Sequence, residues 1–346
     1  MLEHGGRLRQ AAAHYAIPLA DWLDLSTGIN PLGWPVPPLP AACWQRLPED
    51  DDSLQEIAAA AYGHPAPLPL PGSQAAIQTL PYLLPAGPVA VLAPCYAEHA
   101  HAFVVAGRAP QRFAADQLED VAGRAHVVVL ANPNNPDGEV FAPQRLAAAA
   151  ARLAAHGGWL VVDEAFGDAT PELSLTGSVD ALPRTLPENA DNTIVLRSLG
   201  KFYGLAGARV GFALAPPALR NALRELIGPW PVSGPARLAA AGALADRDWQ
   251  AATRARLARD SARLAALLAP FGAVRCTTLF CWLPLAEAPA LHAALARRGI
   301  LTRRFDDPCG LRFGLPGVEA EWQRLAAALA AIAKESVMEH VKEQGA

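Results

Sequence analysis

The sequence has little of what marks a metal module, a secreted scaffold or a nucleic-acid binder. Its five cysteines, Cys43, Cys95, Cys276, Cys281 and Cys309, form no Cys-x-x-Cys pair and no Cys/His cluster with metal-ligand spacing, so no metal is expected. An odd, scattered set reads instead as reduced core thiols of a cytosolic protein. The opening Met1-Leu2-Glu3-His4-Gly5-Gly6 lacks a basic start and an apolar run, so no secretory leader is expected and the cytoplasm is the expected location. Arginines are dispersed and the formal net charge is -4, without the basic stripe that a nucleic-acid partner requires. One long uncharged stretch, 65–97, has the length of a membrane span. It contains Pro67, Pro69, Pro71, Pro81, Pro85, Pro88 and Pro94, which no single spanning helix tolerates. It reads as loop, helix and buried strand, and no membrane partner is expected.

The chain has 346 residues, 52% apolar and 18% charged, a globular balance. Single cores stop growing at about 250–300 residues, so two domains are expected. Short, continuously apolar, β-branched runs occur at 89–93, 126–130, 159–162, 193–196 and 210–214. Such runs suit strands covered on both faces. Helical patterns at 74–84, 97–106 and 142–156 lie between several of them. The pattern predicts an α/β domain with a mostly parallel sheet flanked by helices. From about Pro216 the texture changes to a long Ala/Leu/Arg helical region over 233–270. Strand-like segments follow at 278–285, 300–305 and 311–315, then a final helix over 319–334 and a frayed polar tail. This predicts an N-terminal segment (1–44) packing on the small domain, a large domain (45–216) and a small α+β domain (217–346).

Polar residues stand just after the strands, where open α/β sheets bind ligands. Lys201 closes Ser198-Leu199-Gly200-Lys201 behind one strand, and Arg209 follows. A lysine that captures an aldehyde as an imine must spend time as the free amine. The Ser198 hydroxyl and the planar Arg209 cation can both take a phosphate. Gly72-Ser73-Gln74 opens a helix, where backbone N–H groups and the dipole attract anions. Asp163 closes the 159–162 strand and can keep a pyridine nitrogen protonated. Glu164 beside it reads as structural. Asn135, in a turn-forming run, can donate to a phenolic oxygen, and Tyr96 can stack on a ring. Singly, each has a plain alternative: a solvated lysine, an N-cap serine, a turn aspartate, a turn asparagine, a core tyrosine. Their shared placement at strand ends points to a cradle for pyridoxal 5'-phosphate.

At these residues the chain resembles the fold-type I pyridoxal-phosphate enzymes of the aspartate aminotransferase superfamily. Asn132-Pro133-Asn134-Asn135-Pro136-Asp137-Gly138 resembles the family's NPNNPTG turn. Asp163-Glu164-Ala165-Phe166 resembles its DEAY/DEAF element, and Ser198–Lys201 with Arg209 its lysine and phosphate motif. Gly310-Leu311-Arg312-Phe313-Gly314 resembles the segment whose arginine binds the substrate carboxylate. The resemblance implies a fold-type I transferase architecture and a homodimer. It also implies Lys201, Asp163 and Tyr96 as catalytic residues, with Ser73, Gln74, Asn135, Ser198 and Arg209 binding the cofactor.

Two groups within the superfamily compete, the histidinol-phosphate aminotransferases and the L-threonine-O-3-phosphate decarboxylases of cobalamin synthesis. His4-Gly5-Gly6-Arg7 and Leu25-Ser26-Thr27-Gly28-Ile29-Asn30-Pro31-Leu32-Gly33 resemble the decarboxylases. Phe166 points the same way, because the aminotransferases usually carry a tyrosine there. The YPD-like segment of the aminotransferases corresponds to Arg46-Leu47-Pro48-Glu49-Asp50, which has no tyrosine. A small phosphorylated amino acid is the expected substrate, its carboxylate on Arg312 with Asn30 assisting. Its phosphate has candidates in His4 with the open backbone of Gly5 and Gly6, and in Arg303 and Arg304. A cofactor-sensing regulator would need an added DNA-binding module, for which the chain has no basic helix.

Overall fold

The computed structural model describes residue 2, residues 4–176 and residues 191–344, with side chains placed as far as residue 335. In chain order its helices and strands begin with α1 (Leu8–Tyr15), β1 (Leu23–Asp24), α2 (Ala42–Gln45), α3 (Leu54–Tyr62) and β2 (Leu68–Leu70). Then come α4 (Ser73–Leu83), β3 (Val89–Leu92), α5 (Ala97–Val105), β4 (Gln111–Phe113), α6 (Leu118–Ala122) and β5 (Val127–Ala131). α7 (Pro143–Ala154), β6 (Trp159–Asp163), β7 (Thr193–Ser198), β8 (Gly211–Leu214), α8 (Pro217–Ile227), α9 (Gly234–Ala245) and α10 (Arg247–Leu268) follow. β9 (Arg275–Cys276), β10 (Phe280–Pro284), α11 (Ala288–Ala296), β11 (Ile300–Leu301), β12 (Arg303–Asp306), β13 (Cys309–Gly314) and α12 (Glu319–Gln344) complete the chain.

The chain forms two compact units, Gly33–Ala255 and Met1–Leu32 with Arg256–Ala346. The larger contains a seven-stranded sheet in the order β2-β8-β7-β6-β5-β3-β4. Strands β4, β3, β5, β6 and β7 run parallel, and β8 is antiparallel to both its neighbours. Every residue of β5 is buried, as both-face coverage requires. Burying one such Val or Leu contributes about 1.5–3 kcal/mol. The helices start and stop on local signals: α7 carries Pro143 in its first turn, and α3 ends on Gly63 at φ 59°. The parallel strands therefore deliver Cys95, Asn132, Asp163 and Ser198 to one edge of the sheet.

The smaller unit contains a four-stranded antiparallel sheet, β12-β13-β10-β9, and a parallel pair, β1-β11. In it Leu23 and Asp24 of the N-terminal segment pair with Ile300 and Leu301.

Several expectations shift. The division falls at 255/256 inside α10 rather than after Pro216, because α8 packs on α4 and α9 packs on α2 and α3. The N-terminal share of the smaller unit ends at Leu32 rather than at residue 44. The long 233–270 helix is two helices broken at Asp246, whose Oδ2 accepts from the Trp34 indole at 3.0 Å. Helix α12 runs to Gln344, past the expected end at 334. Cys276 and Cys281 are joined, not reduced: they face each other across β9 and β10, close enough to bond. Among the described residues no helix is long and apolar enough to cross a membrane.

Candidate functional site

Asp163 ends β6 with its carboxylate buried, and both oxygens are held. Oδ1 accepts from the Ala165 backbone N–H at 2.9 Å, and Oδ2 lies 2.9 Å from Nε2 of His99. An ionised carboxylate only accepts, so the imidazole donates. His99 is buried in the first turn of α5, three residues after Tyr96, and the two rings meet edge to face with centroids 5.9 Å apart. Sequence reading missed His99. Its signal was the i to i+3 spacing from Tyr96, which puts both side chains on one helical face.

The Tyr96 hydroxyl donates to Gln74 Oε1 at 3.2 Å, and Gln74 Nε2 donates to Glu98 Oε2 at 3.1 Å. Burial, then the nearby Glu98 and Asp163 charges, pushes the Tyr96 phenol up to about 12. It therefore remains a neutral donor at neutral pH. One network thus links Asp163, His99, Tyr96, Gln74 and Glu98.

Helix α4 begins at Ser73, and no side chain caps it because Gly72 precedes it. Gly72 adopts φ 78°, ψ 157°, a conformation reserved for glycine. A Cβ there would stand 2.8 Å from Arg209 Nη2. Behind the helix start, a Cβ on Gly211 would stand 2.5 Å from the Ser73 nitrogen, so two glycines let α4, β8 and the guanidinium close together. Arg209 itself is left-handed at φ 54°, a conformation that non-glycine residues rarely adopt. An uncapped helix N-terminus beside an arginine is a seat for a phosphate.

Ser198 ends β7, and its Oγ accepts from Gly200 N at 3.3 Å. Lys201 follows in the tight loop, with its Nζ 5.5 Å from the centre of the Phe166 ring. The Asn132–Gly138 turn is held by two other asparagines. Asn132 exchanges hydrogen bonds with the Phe141 backbone at 3.0 Å each way, and Asn134 donates to Pro94 O at 2.8 Å and Asp137 Oδ1 at 2.6 Å. Asn135 is left half-buried at the turn. These residues fit pyridoxal 5'-phosphate. A buried carboxylate, an aromatic at a strand end, a lysine loop and a glycine-lined anion seat all belong to the larger unit.

The remaining candidates belong to the smaller unit. Arg312 of β13 is buried and donates through Nη2 to Ser26 O at 2.8 Å. Burial, then the neighbouring Arg303 charge, pulls its guanidinium down to about 10. Gly6 N donates to Ser26 Oγ at 2.7 Å, and a Cβ on Gly5 would collide with Ser26 O at 2.2 Å. Ser26 thus gathers the 4–6 segment and Arg312, and position 5 must be glycine. Asn30 is buried, its Oδ1 accepting from Arg256 Nη2 at 2.6 Å and from Leu32 N at 3.1 Å. Arg303 stands directly opposite Arg312 in the β12-β13 ladder and shares its face. Arg304 points to the other face and pairs with Asp306 at 3.2 Å. Among the described residues no group of three or more His, Cys, Asp or Glu could hold a metal ion.

Fold and site together define an α/β protein with a lysine loop and an uncapped helix start beside an arginine at the end of a mostly parallel sheet. The chain belongs to the Aminotransferase class I and II family, which it matches over residues 49–330. It is 52% identical to the threonine-phosphate decarboxylase of Pseudomonas aeruginosa over 331 residues, 95% of this chain and 97% of that one. A threonine-phosphate decarboxylase of a Sinorhizobium species is 43% identical over 94% of this chain and 97% of its own. The histidinol-phosphate aminotransferase of Sinorhizobium meliloti, solved with pyridoxal-5'-phosphate, shares the fold with a TM-score of 0.77 at 22% identity, covering 97% of this chain and 99% of its own.

Proposed function

We propose that the chain is a pyridoxal-phosphate-dependent carboxy-lyase converting L-threonine O-3-phosphate to (R)-1-aminopropan-2-ol O-phosphate in cobalamin biosynthesis. The observation that carries this reading is the end-to-end 52% identity with a threonine-phosphate decarboxylase. Phe166 beside Lys201, where an aminotransferase usually has a tyrosine hydroxyl, agrees with it.

Bound pyridoxal phosphate supplies a protonated ring that withdraws electrons from the substrate's Cα. Every other part falls to this chain. Lys201 holds the cofactor covalently. Asp163, oriented by His99, keeps the proton on the ring nitrogen. Tyr96 would stack on the ring and Asn135 would donate to its phenolic oxygen. Ser73, Gln74, Ser198 and Arg209 hold the cofactor phosphate. Arg312 anchors the substrate carboxylate with Asn30 assisting, and His4 with Gly5 takes the substrate phosphate. Arg303 is the better second arm than Arg304, because it shares the face of Arg312 and Arg304 is turned away to Asp306. Holding both anionic ends of the substrate would fix how its Cα is presented, and so would select which bond breaks. The Lys201 amine, freed when the substrate's amino group takes its place and charged by the proton that this group sheds, would be the acid that returns a proton to Cα.

A cytoplasmic homodimer belongs to the same reading. Trp44, Leu47, Trp230 and Leu238 are exposed on and beside α2 and α9, 71% of the Trp44 surface among them. These two helices pack on each other, so the four residues form a neighbourhood that a second copy can cover.

Purified protein given L-threonine phosphate is expected to release CO2. A parallel reaction with histidinol phosphate and 2-oxoglutarate is expected to form no glutamate. Glutamate without CO2 overturns the choice of reaction.

A further inference from the structure

The catalytic reading leaves unused a group of charges buried in the larger unit, behind the strand ends. Glu164 directly follows Asp163, and Arg197 directly precedes Ser198. Asp163 is paired with Leu196 in the β6-β7 ladder, and the Glu164 N–H donates to Leu196 O at 2.9 Å. Side chains alternate along a strand, so Glu164 and Arg197 share the face opposite to Asp163 and Ser198. There they form an ion pair, Arg197 Nη2 lying 2.8 Å from Glu164 Oε2, with both residues at most 1% exposed.

The same guanidinium reaches further. Nη1 donates to Asp168 Oδ1 at 3.3 Å, and Nη2 donates to Ser174 Oγ at 2.6 Å. Its plane lies over the Tyr62 ring, 4.9 Å from the centroid. Glu164 Oε1 accepts from Leu175 N at 2.9 Å, and a Cβ on Gly167 would stand 2.9 Å from Arg197 Nη1. Arg197 is thus held through Nη1, Nη2 and the face of its guanidinium, while its Nε is buried without a hydrogen bond. A buried ion pair is a poor source of stability compared with an apolar pair of the same volume. It gives, however, one fixed geometry, because an imperfectly paired buried charge is so costly.

We propose that Arg197 is a positioning residue: with Glu164 and Asp168 it pins the carboxyl ends of β6 and β7 in one register, and so fixes the Asp163 carboxylate and the Ser198–Lys201 loop around the cofactor. The inference rests on the pyridoxal-phosphate reading. Arg197 touches no reacting atom. It acts through the two backbones whose next residues do.

The test compares the parent holoenzyme with Glu164→Gln/Arg197→Met, which removes the pair together, and with Arg197→Lys, which keeps the charge and loses the planar fork. Three readouts are taken: thermal stability, the dissociation constant for pyridoxal phosphate, and the ring-nitrogen 15N signal of labelled bound cofactor. A structural role alone changes the first and leaves the other two. The expected result is cofactor affinity at least tenfold weaker in both variants, with the 15N signal moved toward the unprotonated ring. If the double variant does not fold, Arg197→Lys decides by the same two readouts. Parent-like affinity and 15N signal in a folded variant overturn the proposal. A parent that binds no pyridoxal phosphate overturns the functional reading instead.

Discussion

Asp163 Oδ2 and His99 Nε2 stand 2.9 Å apart, both side chains sealed from solvent, 64 residues apart in the chain. A charge-assisted hydrogen bond of this kind is worth roughly 1.5–3 kcal/mol. At 1.36 kcal/mol per tenfold, His99→Leu should lower kcat/KM for CO2 release about 10- to 100-fold. His99→Gln retains a donor and should lose less. Steady-state kinetics of the two variants side by side check the ordering.

Gly72→Ala strains the backbone at φ 78° and drives a methyl against the Arg209 guanidinium. The backbone alone costs about 1–3 kcal/mol. Cofactor affinity should fall by at least tenfold while far-ultraviolet circular dichroism stays as in the parent. Equilibrium titration with pyridoxal phosphate measures it.

Asp168 gives a pH signature. Burial pushes its carboxyl from 3.8 up to about 6, with Arg197 and Arg254 pulling the other way. The native state therefore holds a proton that the unfolded chain has already released between those two values. That contribution to stability is whole below pH 3.8 and is lost as pH rises through about 6, a change of about 3 kcal/mol. Asp168→Asn has no such titration. Its stability relative to the parent should improve on going from pH 4.5 to pH 7.5, read from unfolding midpoints at both values. A constant difference would remove Asp168 as the titrating group.

Cys276 and Cys281 are bonded across β9 and β10, while Cys43, Cys95 and Cys309 are free. The closed loop is short, so by loop entropy alone the link contributes only about 2 kcal/mol. Alkylation of the denatured protein without reductant, followed by peptide mass spectrometry, should modify Cys43, Cys95 and Cys309 and spare the pair. Prior reduction should expose all five.

Placements whose signal is local were readable in the sequence. Asp163, Ser198 and Lys201 each follow an apolar β-branched run, and Asn135 sits in a turn whose residues dictate its shape. Glu164, read as structural, lies in the buried Arg197 ion pair. Partners set by topology were not readable. His99 reaches Asp163 only because β3 and β6 both deliver their carboxyl ends to one edge of the sheet, on either side of β5. Ser26 as the meeting point of Gly5 and Arg312 depends on a chain separation of 286 residues. The Cys276–Cys281 link depends on a hairpin register that a spacing of five does not specify by itself. The unit boundary shifted for the same reason: α8 and α9 resemble their successors in composition, and only packing assigns them to the larger unit.

Lys201 is one of three lysines in the chain, the others being Lys334 and Lys342 in α12. Borohydride reduction of the protein saturated with pyridoxal phosphate, then peptide mapping, therefore has only three side chains to choose among. The account predicts a pyridoxyl group on Lys201 alone, and none anywhere in Lys201→Ala. A label on Lys334 or Lys342, or an unlabelled Lys201 in the saturated parent, would contradict it.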